Sequence, residues 1–390
     1  MNRALSILLL GQFLSAFADN AILFAVIAMV LQTPDIPAWY VPALQSVFLL
    51  AYIVSAPWAG ALADRYSKRQ VLIGANLIKT VGAVLLLCEV EALLAYAVVG
   101  LGAALYSPAK YGILPELLAP ERLVKANSWM EGATILAILT GMLAGGHLAD
   151  YSIPLALLTI GVLFLVSAVV TAALPRLPAR TATLHAPFAR FLQQCRAFWP
   201  HARARFVLLG GAVFWASAAT LRVILVAWAP EVLGLHSASG IAQLTLFLAI
   251  GIVAGAALVP RLIPLEQLRR AQFPAFAMAL LITLLSACGD LWTARLALWS
   301  IGVAGGMFIV PLNAALQDWG QHTLGSGGAV ALQNFLQNAA MLLAVGLYTL
   351  AQAHGATPTA SLFVLGVLVI ALCVLIVGSL PRPARTPRTH

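Results

Sequence analysis

The chain has 390 residues, 62% of them hydrophobic and 9% charged, against roughly 25% charged in an average soluble domain. Such a composition cannot present a solvated surface on every side, so it excludes an ordinary soluble fold and makes lipid the expected solvent. The net charge of +9 would suit nucleic acid, but its placement along the chain fits membrane topology instead.

The start imitates a secretory signal: Met-Asn-Arg, a short apolar run, then Ala16-Phe17-Ala18. The apolar stretch continues to about Leu31, so it is read as a retained first span. Hydropathy and loop punctuation predict further spans at 41–63, 71–88, 92–114, 128–149 and 154–174. After a polar linker come 206–230, 241–260, 271–288, 294–316, 329–350 and 360–380. Runs of about 18 or more apolar residues are long enough to cross a bilayer as helices. The expected fold is therefore an all-α membrane protein with 12 transmembrane helices in two six-helix halves, 1–174 and 206–380. Between them lies a basic linker, 175–205, read as a disordered tether, and a short tail, 381–390, follows.

Four cysteines, Cys88, Cys195, Cys288 and Cys373, stand singly and read as packed thiols. No metal site is expected. The linker carries Arg176, Arg180, Arg190, Arg196, Arg203 and Arg205 and no acid. Placing the N-terminus in the cytoplasm puts most of the 22 Lys and Arg residues on that side. Arg295 alone is at the opposite face, where Asp35, Glu89, Glu91, Asp150, Glu231 and Asp290 collect. Both termini are then cytoplasmic. The halves echo one another: "GAALYSP" (102–108) and "GGMFIVP" (305–311) share a glycine-to-proline spacing.

Five charges fall inside predicted spans, away from their extreme ends: Asp19, Lys79, Lys110, Glu131 and Arg222. Each costs about 2.5–3.5 kcal/mol near a bilayer centre, so they must face the bundle interior, water or one another. Structural ion pairs would satisfy this, as would a polar substrate site. Asp19 lies roughly 20 Å along its helix at 1.5 Å per residue, too deep to reach either surface. Arg222 is at similar depth, while Lys79 and Lys110 are placed nearer the cytoplasmic ends, where snorkelling serves. Asn127, Glu131 and Thr134, with Gln333, Asn334, Gln337 and Asn338, add a rim of polar groups that serve as helix glue or as ligand contacts. Arg with carboxylates suits a group bearing a phosphate and an amine.

The segment "GALADRYSKRQ" (60–70) resembles the loop signature of the major facilitator superfamily, through Gly60, Asp64, Arg65, Lys68 and Arg69. Ser67 stands where that pattern usually has glycine. The resemblance implies a latch in which Asp64 meets a helix N-terminus of the other half. At the equivalent place in the second half, "GAALVPR" (255–261), Val259 replaces the aspartate, so the latch is one-sided.

More specific are "FLSAFADNAILFA" (13–25), "GAALYSPAKYGILPELL" (102–118), "LVKAN" (123–127), "LRVILVAW" (221–228) and "GGMFIVPLNAALQ" (305–317). Together they resemble the bacterial lysophospholipid transporter family of the inner membrane, through essentially all twelve helices. The resemblance implies a flippase moving lysophosphatidylethanolamine and lysophosphatidylglycerol from the outer to the inner leaflet, for re-acylation by a separate cytoplasmic-side acyltransferase. It also implies a headgroup site of Asp19, Asn20, Lys110 and Arg222, to which Glu131, Gln333 and Asn334 are added here. Gly141 and Gly145, and Gly251 and Gly255, allow close helix approach; they serve plain tight packing or a lateral gate at one of two seams between the halves, the fifth with the eighth helix or the second with the eleventh.

The chief alternative is a proton-coupled multidrug exporter of the same superfamily, which the latch and a buried carboxylate fit equally well. No H-x4-D or G-x-S-x-G pattern is present, so no catalytic residues, no enzyme and no cofactor are expected. Na⁺ or H⁺ coupling at Asp19 stays open. The expected partners are lysophospholipid and membrane lipids, without nucleic acid, for a monomer.

Overall fold

The computed structural model describes residues 3–31, 40–177, 187–235, 238–322 and 326–378. Asp35, Arg180 with the rest of 178–186, and the tail 381–390 lie outside the described residues. The helices are α1 (Arg3–Leu31), α2 (Tyr40–Arg65), α3 (Lys68–Leu87), α4 (Ala92–Gly112), α5 (Leu114–Leu117), α6 (Pro120–Tyr151) and α7 (Ile153–Thr171). Then follow α8 (Pro187–Phe198), α9 (Ala202–Leu233), α10 (Ala238–Leu262), α11 (Gln272–Leu285), α12 (Leu291–His322), α13 (Ser326–Ala353) and α14 (Pro358–Gly378). A 3-10 turn, Leu265–Ala271, leads into α11. Twelve spans among the described residues are long and apolar enough to cross a membrane.

Capping side chains set several of the starts. Ser67 accepts from the N–H of Gln70 at α3, Glu91 from Leu94 at α4, and Asp290 from Trp292 and Thr293 at α12. Outward faces are apolar: α14 exposes Phe363, Leu368 and Leu375, which only a hydrocarbon surround accommodates.

Packing repeats between the halves. In the first, α1 packs on α6 and α7, α2 on α4, and α3 on α4 and α7. Six spans later, α9 packs on α13 and α14, α10 on α12, and α11 on α12 and α14. The halves meet chiefly through α2 with α13 and α6 with α10. We call the end of the bundle where α1 begins and α2 ends the base.

Three sequence expectations are corrected. First, α6 begins at Pro120, eight residues earlier than predicted, because Pro at N1 starts a helix without needing its N–H. Glu131 is therefore about three turns inside it. Second, the linker is not wholly a tether: α8 packs on α2 and α13, burying Phe191, Gln194 and Phe198. Third, the four gate glycines face into their own halves. A Cβ at Gly141 would lie 2.4 Å from the Phe17 carbonyl oxygen, and one at Gly145 2.5 Å from Ala21 Cα, both on α1. On α10, a Cβ at Gly251 would lie 2.1 Å from the Trp299 carbonyl oxygen and one at Gly255 2.0 Å from that of Val303, both on α12. Their absent side chains let helices touch backbone to backbone within a half, so they are not at the α6/α10 seam.

Candidate functional site

Polar side chains form two tiers, one closing the base and one deeper in the bundle. At the base, buried Asp64 accepts from the backbone N–H groups of Gly327 and Gly328, each at 3.0 Å. These open α13, where amides lack intrahelical acceptors and the helix dipole is positive. Gly60 permits the approach: a Cβ there would lie 2.9 Å from Ala331 Cβ and 3.0 Å from Gly328 Cα. The basic residues pair within the first half. Lys68 meets Glu116 at 3.0 Å and Asp64 at 3.8 Å, Arg69 donates to the Leu174 carbonyl at 3.2 Å, and the Arg65 guanidinium lies 6.0 Å from the Tyr66 ring centre.

Just above, amides join the halves. Asn127 and Gln317 exchange two hydrogen bonds of 2.8 Å. Glu131 accepts from the Tyr111 hydroxyl at 2.9 Å and from Asn313 Nδ2 at 3.0 Å. Asn313 Oδ1 in turn accepts from Gln333 Nε2 at 2.9 Å, and Asn334 Nδ2 donates to Ser107 Oγ at 2.9 Å. Glu131, Gln333 and Asn334, assigned from sequence to the substrate, are thus engaged in the base closure. By contrast, α1 and α9 share no packed interface.

The deeper tier centres on α1. Asp19 Oδ2 receives Lys79 Nζ at 2.7 Å. Lys79 also donates to Ser15 Oγ at 2.9 Å, Ser15 to Asn76 Oδ1 at 2.8 Å, and Asn76 to Ser167 Oγ at 2.9 Å. The ammonium lies 4.7 Å from the Tyr106 ring centre, a favourable cation–π distance. Lys79 is 0% exposed, which corrects the snorkelling expectation. Because α3 starts at Lys68 rather than 71, Lys79 is about 16 Å along it at 1.5 Å per residue.

The other assigned residues differ in what they meet. Asn20 Nδ2 turns back to the Ala16 carbonyl at 2.8 Å, and the Lys110 ammonium lies 4.7 Å from the Tyr111 ring centre. Arg222 on α9 is exposed, with no hydrogen bond or ion pair among the described residues. Asp19 Oδ1 is buried and also lacks a hydrogen-bond partner. One carboxylate oxygen and one guanidinium are therefore left over, on the first helix of each half.

The family model of the Major Facilitator Superfamily matches residues 8–345. A lysophospholipid transporter (LplT) of Photorhabdus laumondii is 42% identical over 354 residues, covering 90% of this chain and 89% of that relative. The chain belongs to the major facilitator superfamily and, within it, to the lysophospholipid transporter family. LplT of Serratia proteamaculans is 41% identical over 355 residues, covering 90% of this chain and 89% of that protein. Among solved structures, a bacterial homologue of the iron transporter ferroportin in an outward-facing state superposes with a TM-score of 0.74 at 17% identity, over 97% of this chain and 98% of the other. The transporter FucP in the outward conformation gives 0.75 at 14% identity, over 97% and 99%. At such identities these two carry the fold alone. This family of transporters contains the chain; it is not an enzyme family.

Sequence reasoning marks Ser15 with Gln12 and Asp19 as one polar stripe of the first helix, but does not select Asn76, Ser107, Tyr111, Ser167, Asn313 or Gln317. Asn76 and Lys79 stand at i, i+3 on a predicted span, a pairing that could have marked the α3 face toward Asp19. Gln317 fell just past the predicted end of its helix, which the structure extends to His322.

Proposed function

We propose that the protein is a lysophospholipid flippase of the bacterial inner membrane. It would carry lysophosphatidylethanolamine and lysophosphatidylglycerol from the outer to the inner leaflet by alternating access, with both termini cytoplasmic. The observation that carries this reading is the pair of unmatched groups, Asp19 Oδ1 on α1 and the Arg222 guanidinium on α9, beyond a base closed by hydrogen bonds between the halves. The base is then the cytoplasmic end, and this conformation is open to the outer leaflet. The names of the relatives support the substrate class.

Arg222, with Lys110, holds the phosphate, since a guanidinium bonds it in two directions at once. Asp19 accepts from the ammonium or hydroxyl groups of the headgroup. Lys79 neutralises Asp19 from behind, so Arg222 and Lys110 remain as the cations of the empty site for an anionic ligand. Breaking the Asp64 contact and the amide pairs opens the cytoplasmic side. The acyl chain enters sideways along α2/α13 or α6/α10, and a separate acyltransferase receives the lipid. Asp19 is the place where Na⁺ or H⁺ coupling would act.

The test is flux in reconstituted vesicles, with labelled lysophosphatidylethanolamine in one leaflet and its arrival in the other followed for wild type and Arg222→Ala. Loss of one charge-assisted contact lowers transport on the order of 100-fold, with folding unchanged. Wild-type flux from Arg222→Ala overturns the headgroup assignment, and no lysophospholipid flux from wild type under any ion gradient overturns the function.

A further inference from the structure

Helix α8 has two apolar edges but only one is covered. Phe191, Gln194 and Phe198, at i, i+3 and i+7, turn into the bundle. Phe191 meets Phe335 of α13 with ring centres 5.4 Å apart, and Phe198 meets Trp319 of α12 at 4.2 Å, both edge to face. Gln194 lies against Gly328, whose N–H is held by Asp64. The helix thus rests on the end of α13 that closes the base.

The second edge is Phe188, Leu192 and Trp199, at i, i+4 and i+11, exposed by 63%, 42% and 56%. Exposed Arg196, four residues after Leu192 and three before Trp199, flanks it. Arg196 and Arg176 have no ion pair among the described residues, and no acid occurs anywhere in 175–205. Arg205 is turned inward onto the carbonyls of Trp199 and Pro200 at 2.6 and 3.1 Å, fixing the end of α8. The helix lies between the base ends of two spans, α7 ending at Thr171 and α9 starting at Ala202, and so at the level of a leaflet surface.

We propose that this edge of α8 docks on the anionic surface of the leaflet at the base, and that docking holds the base closed. Aromatic and leucine side chains enter the headgroup boundary while neighbouring arginine meets lipid phosphate, the arrangement of an interfacial helix. Charge complementarity selects anionic lipid over zwitterionic lipid, because Arg196 flanks the edge and residues 175–205 contain no acid. Through Gln194 and Gly328 the docked helix braces the amides that Asp64 holds.

The experiment places the full-length protein in vesicles of brominated phosphatidylcholine, with or without brominated phosphatidylglycerol, and follows tryptophan quenching in wild type and Trp199→Phe. The wild-type signal absent from Trp199→Phe is expected to be quenched, more strongly with phosphatidylglycerol, and Arg196→Gln is expected to weaken that preference about fivefold. In parallel, Ser107→Cys in a background lacking the four native cysteines is labelled with a water-soluble maleimide, more slowly in the anionic vesicles. An unquenched Trp199 overturns the docking, as it would if another part of the chain covered this edge. Equal quenching in both lipids overturns the anionic partner, and labelling indifferent to lipid overturns the hold on the base. None of these readouts requires transport.

Discussion

The base and the membrane interior treat buried polar groups differently. At the base, Asp64 is bonded to two backbone amides, Glu131 to a hydroxyl and an amide, and Asn127 to Gln317 twice over. Deeper in, the Asp19–Lys79 pair satisfies only one carboxylate oxygen, and Arg222 has no ion pair among the described residues. A closure that must hold and then release needs complete but individually modest bonds, each worth about 1 kcal/mol net. A recognition site needs groups whose partners arrive with the ligand. The contrast teaches that a full charge in a span is not by itself the mark of a site, and that its partners have to be counted first.

After Arg222→Ala, the largest expected effect comes from removing the cation behind Asp19. Lys79→Met leaves the Asp19 carboxylate and the Ser15 hydroxyl without their ammonium partner and costs on the order of 3 kcal/mol. Thermal unfolding of the purified protein should show a lowered midpoint, and Asp19→Asn combined with Lys79→Met should recover most of it. If Lys79→Met is as stable as wild type, the pair is not structural and the contrast between the two tiers fails.

Breaking the base is milder. Asp64→Asn keeps an acceptor but removes the charge from the N-terminus of α13, about 1 kcal/mol. Maleimide labelling of a cysteine at Ser107, which bonds Asn334 across the closed base, should rise roughly fivefold. Unchanged labelling would shift the weight of closure to the amide pairs.

The smallest effect is at the far end, where Asp290 caps α12. Hydrogen bonds from the Thr293 hydroxyl and N–H and from the Trp292 N–H hold its carboxyl below the usual value. A depressed folded value means its stabilisation is fully present above about pH 4 and is lost as the pH falls through the lowered one. The difference in melting midpoint between wild type and Asp290→Asn should therefore shrink on acidification below about pH 4. A difference independent of pH would show that the cap acts without its charge.

Composition and apolar run length determined that this chain lives in a membrane and how many of its helices are long and apolar enough to cross it, because hydrocarbon admits little but closed helices. The contact of Asp64 with the start of α13 was legible too, since Gly60 and Asp64 belong to one local motif whose partner is any helix start brought to it. What only the tertiary structure decided is which helix face meets which. Helical period places Gly141 with Gly145 and Gly251 with Gly255 on common faces, but cannot say that those faces turn to α1 and α12 rather than to each other. Nor does it reveal that Lys79, three turns into α3, reaches Asp19 sixty residues earlier in the chain. Pairing across distant helices depends on how the whole bundle packs, and no single segment carries that information.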